Sequence, residues 1–397
     1  MKVVCLGGTG GMGRYAARTA AAFDFVEQVI IADLNARAAQ AFASELGPKA
    51  RGVAVDVTAP ELLRTVLAHG DIVLNTVGPF FRFGVPVLKA AIESGKNYID
   101  ICDDWEPTLE MLDMHDQAVQ AGITAVIGLG ASPGITNLLA VMAIHELDRT
   151  DKIYTAWDLD SAKPEAIGPV PSAAMVHGML QLSGKIRVWE GGGYKEVRPV
   201  RKIPVDYPGI GRRTAWSIGH PEAITLPRYF PGLQTSRNLM VTSGTNVLAL
   251  WIVGALVDTG LLTIEKAARL AEKVEGTGVG RSPADFIRET KVNGPLRLPP
   301  LFALAEGEKD GRPASVAVTV AGAPAGGMGG ATGVPLAAGL AMFRNDLKPG
   351  VFAPEGIINP EKFLDVMAPL CNPPFQTASD ILVVSRSWED GDIREKV

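Results

Sequence analysis

Proton transfer near neutral pH is work for imidazoles and for carboxylates whose pKa has been raised. The sequence offers both: the adjacent pair Asp103-Asp104, and His177 and His220 among five histidines. Burial or mutual repulsion would lift one aspartate into a useful range, and either could instead bind a substrate ammonium. The alternative for the pair is a solvated loop or a helix N-cap ahead of Trp105-Glu106-Pro107. His220 has Glu222 and Arg228 close by in sequence, whereas a histidine with no visible partner is commonly a core residue. Asp103, Asp104 and His220 are therefore the acid/base candidates. Arg82, Arg213, Arg228 and Arg237 could clamp a substrate carboxylate through their planar guanidinium groups, with solvation at the surface as the ordinary alternative. Arg82, Cys102, Asn137, His177 and Arg228 form the expected substrate-contacting set. Asn137 falls in the first turn of a helix after Pro133-Gly134, where a helix-surface amide is the plain alternative. Cys102 reads as a small packing residue rather than a nucleophile, because no basic partner or helix start lies beside it. Cys5, Cys102 and Cys371 are too far apart for a disulfide framework or a CxxC site. No His/Cys/Asp group has metal-ligand spacing, so no metal is expected.

Hydride chemistry belongs to a cofactor, and the protein supplies position, one proton and charge complementarity. The cofactor signal is the turn Gly8-Thr9-Gly10-Gly11-Met12-Gly13. GxGxxG alone is weak, but here it follows a terminal strand, opens a helix and is followed roughly 20 residues later by the acidic Asp33. Gly8 permits the tight turn, Gly10 lets the backbone approach a pyrophosphate, and Gly13 lets the helix pack closely, while the helix start offers N–H groups to the anion. Asp33 is placed to accept ribose hydroxyls and to repel a 2'-phosphate, which favours NAD over NADP. Arg37, one helical turn on, keeps NADP possible. Asp56 after the third strand is placed for the adenine edge or for capping its own loop. Ligands lie beyond the carboxyl ends of parallel strands, so Thr76, Gly78 and Pro79 after strand four should flank the nicotinamide along with 102–105 after strand five.

These residues need a scaffold. Residues 1 to about 130 alternate strand-like runs (Lys2 to Leu6, Gln28 to Ala32, Gly52 to Val55, Asp71 to Thr76, Tyr98 to Ile101, Thr124 to Ile127) with helical patterns (Arg14 to Phe23, Ala36 to Leu46, Pro60 to His69, Gly84 to Ser94). That rhythm predicts an α/β fold: a Rossmann-type, doubly wound parallel sheet. From 131 to 327 the pattern predicts an inserted, mixed α+β substrate and dimerisation domain. It holds a helix after Pro171, hairpins around Gly191-Gly192-Gly193 and Lys309-Asp310-Gly311, and a helix Ile264 to Val274. Residues 328 to 397 are expected to return, at least partly, to the first domain. With 397 residues, 47% hydrophobic and 20% charged, the chain has ample material for two cores. A net charge of −5 without a basic run speaks against nucleic acid. Val247 to Val257 is too short to span a membrane, and Met1 to Leu6 reads as a strand rather than a leader. A cytoplasmic enzyme with a small-molecule substrate is the expectation.

The run Asn75-Thr76-Val77-Gly78-Pro79-Phe80, then Gly84, then Ala90-Ala91-Ile92-Glu93-Ser94-Gly95-Lys96-Asn97-Tyr98-Ile99-Asp100, resembles the saccharopine dehydrogenase-like family. Gly130-Ala131-Ser132-Pro133-Gly134, Thr332-Gly333-Val334-Pro335 and Gly350-Val351-Phe352-Ala353-Pro354-Glu355 agree with it. The resemblance covers roughly the two ends of the chain. It implies a Rossmann domain built from both termini, an inserted substrate domain whose sheet suits a homodimer, and a cleft between them. It also implies hydride transfer between a nicotinamide and an imine or secondary amine derived from amino acids or polyamines, such as saccharopine, lysine or carboxylated polyamines. The middle of the chain, including Ile218-Gly219-His220-Pro221-Glu222, looks like an uncharacterised branch. A dehydrogenase of hydroxyl or keto substrates and a non-catalytic dinucleotide sensor are the alternatives on the same scaffold.

Overall fold

The computed structural model describes residues 1–159, 173–242, 244–275, 297–345 and 347–388. The chain opens as a strict alternation: β1 (Lys2–Leu6), α1 (Gly11–Ala22), β2 (Gln28–Asp33), α2 (Ala36–Leu46), β3 (Ala50–Ala54), α3 (Pro60–Leu67), β4 (Ile72–Asn75), α4 (Phe80–Glu93), β5 (Asn97–Asp100), α5 (Trp105–Leu112), α6 (His115–Ala121) and β6 (Thr124–Val126). Strands β1, β4 and β5 are buried along almost their whole length, as continuous apolar runs covered on both faces must be. Local chemistry sets the helix ends. Asn35 Oδ1 accepts from Ala38 N–H to start α2, Gly47 ends it at φ 85°, and Pro60 opens α3.

The insertion follows with α7 (Ile135–His145), β7 (Arg149–Asp158), α8 (Ala173–Gln181), β8 (Ile186–Glu190), β9 (Tyr194–Val197), β10 (Lys202–Tyr207), β11 (Gly211–Ile218), α9 (Glu222–Tyr229), β12 (Thr235–Val241), α10 (Gly244–Asp258), α11 (Ile264–Glu275), β13 (Leu301–Lys309) and β14 (Arg312–Val320). Both expected hairpins are present. β13 and β14 are joined by Asp310 (φ 51°) and Gly311 (φ 71°), the left-handed pair that a two-residue turn needs to match strand twist. The strands form a mixed sheet in which β12 runs parallel to β7 and antiparallel to β11. It is strongly rolled: the ring of Tyr207 on β10 packs edge-on against Phe302 on β13, with centroids 5.3 Å apart, although β11, β12 and β7 lie between those strands in the sheet. One face thus encloses a core of Tyr154, Ala156, Tyr207, Leu239, Phe302 and Leu304. The opposite face carries Ile218, Met240 and Trp157 against Met175 and Met179 of α8, Val247 of α10 and Ala267 and Ala268 of α11.

The chain then goes back to the first unit through α12 (Gly327–Ala338) and β15 (Gly350–Phe352). β15 pairs parallel to β6 and completes a seven-stranded sheet of order β15-β6-β5-β4-β1-β2-β3. α12 lies against α1. A Cβ at Gly333 would overlap Met12 O, and one at Gly329 would sit 3.0 Å from the Tyr15 ring, so these glycines set the approach of the two helices. Of the stretch 328–397, expected to return at least in part, the portion to 359 lies in the first unit. Residues 324–359 belong to the first unit, whereas α13 (Pro360–Met367), α14 (Ala378–Ile381) and β16 (Leu382–Arg386) belong to the second. The reason is pairing: β16 has a free ladder to complete along β14, from Val316↔Arg386 to Val320↔Leu382. The insertion correspondingly starts at 136 rather than 131. Residues 389–397 of the expected return lie outside the described residues. Among the described residues, no helix is long and apolar enough to cross a membrane.

Candidate functional site

The glycine turn is built so that Gly8, Gly10 and Gly13 do different things. Gly7 N–H donates to Ala32 O (2.9 Å) and Gly10 N–H to Gly7 O (3.0 Å), closing the turn between β1 and α1. A Cβ at Gly8 would lie 3.0 Å from both Cys5 O and Ile31 Cγ2, and one at Gly13 would overlap Gly7 O and crowd Thr76 Oγ1. At Gly10 the only neighbour would be Gly7 O, at 3.2 Å. Gly8 and Gly13 are therefore glycine for packing, and Gly10 is glycine beside open space, which a diphosphate would fill. α1 starts without a side-chain cap and without an acidic residue in its first turn, so its first N–H groups have no side-chain acceptor of their own and could receive an anion.

Asp33, the last residue of β2, reaches back to this turn. Its Oδ2 accepts from Thr9 N–H (3.1 Å) and Thr9 Oγ1–H (2.6 Å), and its Oδ1 accepts from Asn35 N–H (3.2 Å). A carboxylate offers about four lone-pair sites, so one acceptor site on Oδ1 is left for a ribose hydroxyl. Arg37 is exposed on α2. Asp56 Oδ1 accepts from Thr58 Oγ1–H (2.6 Å) and Thr58 N–H (2.8 Å), and the Thr58 hydroxyl bond holds its carboxyl below the usual range. This is the loop-capping use of Asp56. Thr76 is likewise turned inward: its hydroxyl lies 2.9 Å from Leu6 O and 3.2 Å from Gly7 O, bracing the ends of β1 and β4 behind the turn.

Beyond the carboxyl ends of β4 and β5, Gly78 and Pro79 lead into α4, and 102–104 lead into α5. The Asp104 carboxylate accepts from Phe81 N–H (3.0 Å), so it caps the start of α4 and not, as a cap reading would have it, its own helix α5. Asp103 is half-buried. Cys102 is buried with its thiol pushed well up, chiefly by desolvation, which keeps it a thiol and a packing group. Arg82 is exposed and stacks over Phe83 at 5.0 Å.

A residue not singled out from the sequence anchors this edge. Asp100, fully buried, accepts from Tyr98 Oη–H (2.8 Å), Cys102 N–H (3.0 Å) and Gly128 N–H (2.7 Å), while Asn75 Nδ2–H donates to Tyr98 Oη (2.9 Å). It ties the loops after β5 and β6 together. Desolvation outweighs those bonds and raises its pKa to about 6.

The second unit holds its own buried polar centre. Glu222, the first residue of α9 and wholly inaccessible, accepts at Oε1 from Thr136 Oγ1–H (2.8 Å) and Asn238 Nδ2–H (3.0 Å). Its Oε2 lies 3.2 Å from His220 Nδ1. Asn238 also donates to Thr155 Oγ1 (2.9 Å). The His220 ring is flanked by Trp157 and His177, with centroids 6.0 and 5.9 Å away, and His177 Nε2 is bonded to the Gln181 amide. Of the other expected contacts in this unit, Asn137 is buried in α7 and Arg228 is exposed at the end of α9. Arg237 is buried and paired with Glu190 (2.9 Å), and Arg213 donates to Arg212 O (2.8 Å). The sequence signal for Glu222 was its place two residues after His220, which carries no information about Thr136 or Asn238.

Residues 3–126 match the family model described as the saccharopine dehydrogenase NADP binding domain. A carboxyaminopropylagmatine dehydrogenase of Synechocystis sp. is 24% identical over 291 residues, covering 69% of this chain and 70% of that protein. A carboxynorspermidine synthase of Vibrio cholerae is 26% identical over 329 residues, covering 75% of each. The apo, L-Glu-forming saccharopine dehydrogenase of Saccharomyces cerevisiae shares the fold, with a TM-score of 0.62 at 18% identity over 97% of this chain and 99% of that one.

The Asp100 centre has a pH signature. Its folded pKa lies above the ordinary value of 3.8, so the folded chain holds a proton that the unfolded chain releases. The resulting stabilisation is complete below about pH 4 and is lost as pH rises through about 6, on the order of 3 kcal/mol in all. Asp100→Asn should remove this slope. Thermal denaturation of both proteins between pH 4 and 6.5 measures it, and an unchanged slope in the variant would show that Asp100 titrates normally.

Proposed function

We infer that this saccharopine dehydrogenase-like chain is an NAD(P)-dependent oxidoreductase that transfers hydride between nicotinamide and an amine-derived substrate. The observation that carries the reading is the glycine cradle, open only at Gly10, with the Asp33 carboxylate behind it. When bound, the nicotinamide supplies or takes the hydride. The chain's own part is to hold the pyrophosphate on the α1 N–H groups, orient the ribose with Asp33, and manage one proton. Gly78, Pro79, Asp103 and the Asp104 loop flank the reacting ring by their place beyond the strand ends. His220 is the proton carrier we favour, because its Nδ1 lies 3.2 Å from the buried Glu222 carboxylate, whereas the Asp104 carboxylate accepts from Phe81 N–H.

The substrate class we propose is a carboxylated polyamine or a similar amino-acid-derived secondary amine, with the imine as its oxidised form. The names of the Synechocystis and Vibrio relatives support it. The test is cofactor turnover by the purified chain, offered amines paired with aldehydes or oxo-acids and, separately, ketones and alcohols. Turnover with the amine pairs is expected; turnover confined to ketones or alcohols would replace imine chemistry by carbonyl chemistry, and tight cofactor binding with no turnover would make the chain a sensor.

For the cofactor we propose NAD. A 2'-phosphate at the ribose would meet the Asp33 carboxylate. Asp33→Ala should raise the Kd for NAD by about tenfold, the cost of one lost charge-assisted bond, and leave NADP binding equal or tighter. Calorimetric titration decides it, and a constant NAD/NADP ratio would remove Asp33 from the role.

We further propose a homodimer in the cytoplasm. Its three cysteines are unpaired, which suits a reducing compartment. α10 is apolar around its whole circumference: Val247 faces the core, while Leu248 and Trp251 are 61% and 59% exposed and Ile252 and Leu256 lie beside them. A helix of that kind is normally covered on both sides. Sedimentation should show a dimer that Trp251→Glu converts to a monomer. A wild-type monomer would rule the dimer out.

A further inference from the structure

We propose that Glu222 is a positioning residue that fixes the tautomer of His220, so that Nε2 is the ring atom that exchanges the proton; this rests on the assignment of proton handling to His220 above. The argument begins with what a carboxylate can do. Ionised, it accepts hydrogen bonds and donates none. Two donors, Thr136 Oγ1–H at 2.8 Å and Asn238 Nδ2–H at 3.0 Å, converge on Oε1 of this inaccessible side chain, and an ionised carboxylate accepts both. Oε2, 3.2 Å from His220 Nδ1, therefore requires a hydrogen on that nitrogen whether the ring is neutral or charged.

The arrangement is over-determined. Thr136 comes from α7, Asn238 from β12, and Asn238 is itself held by Thr155 of the paired strand β7, in register Asn238↔Thr155. Three elements of one unit thus fix the carboxylate, and the carboxylate fixes the ring. Trp157 and His177 pack on the imidazole and limit its rotation. Among the described residues of this unit, Glu222 of α9 and His177 of α8 are titratable groups that face it. In the reductive direction the imidazolium would give its Nε2 proton to the nitrogen of an imine substrate, leaving the ring neutral with hydrogen on Nδ1, and the nicotinamide, when bound, would supply the hydride that turns C=N into CH–NH. The reverse reaction returns the proton to Nε2.

Glu222→Gln separates this role from a structural one. The amide oxygen can still accept from Thr136 and Asn238, so the centre keeps its shape, but the amide nitrogen can only donate to Nδ1, which moves the hydrogen of the neutral ring to Nε2. Nitrogen-15 NMR of the full-length protein with labelled histidine reads the tautomer, His220 being assigned by its loss in His220→Asn. We expect hydrogen on Nδ1 in the wild type and on Nε2 in the variant. kcat should fall by about 100-fold or more, the usual worth of a positioned acid/base, with less than about a threefold change in the Kd of NAD(P). Hydrogen on Nε2 in the wild type overturns the proposal without any variant having to fold. So does a Glu222→Gln enzyme that turns over at the wild-type rate. Failure of the underlying reading shows elsewhere, as absence of turnover by the wild type.

Discussion

Close approach of backbone to backbone around the first turn of α1 is the constraint on which the N-terminal unit depends. On one side Gly13 has no room for a Cβ against Gly7 O, and Thr76 braces the strand ends behind it; on the other, Gly333 of α12 has none against Met12 O. The turn is clamped from its own strand and from a helix more than three hundred residues away in sequence. An anion site of bare N–H groups gains its affinity from fixed dipoles, and fixed dipoles need a rigid frame. This gives the return of the chain a purpose in the first unit. α12 supplies the second wall of the clamp, and β15 closes the far edge of the sheet.

Among the described residues each unit also contains one fully inaccessible carboxylate, Asp100 or Glu222, and the two are handled differently. Asp100 accepts from two backbone N–H groups and a tyrosine hydroxyl and joins loops, with burial dominating its titration. Glu222 accepts from a hydroxyl and an amide and faces an imidazole. The first arrangement holds backbone, so its consequence is stability. The second presents a side chain, with Oε2 of Glu222 set against the His220 ring.

Much of the first unit was legible because its signals are local. Apolar runs, a glycine turn opening a helix and an acid at the end of the second strand are all read within forty residues, and the strands fall within a residue or two of where the runs place them. The hairpin at Asp310-Gly311 was legible for the same reason. The boundary of the return was not, since β16 joins the second sheet through pairing with β14, and the stretch carries no mark of which sheet will take it. The side-chain centres were the hardest. Asp104 beside Trp105-Glu106-Pro107 has the look of a cap for the following helix, yet its carboxylate goes to Phe81, twenty-odd residues earlier. Glu222 depends on Thr136 and Asn238, which no spacing connects to it.

Cofactor choice shows where family likeness and local chemistry part. The matching domain is described by its binding of NADP, whereas the residue that ends β2 here is an aspartate. A 2'-phosphate needs a cation in reach and no anion beside it. Arg37 is exposed on α2, while Asp33 is locked by Thr9 on one oxygen and by Asn35 on the other. Those bonds prevent the carboxylate from swinging away to admit a phosphate, and Thr9 belongs to the very turn that would hold the pyrophosphate. The Asp33 carboxylate is thus held at the end of β2 from two sides, by the glycine turn through Thr9 and by the start of α2 through Asn35.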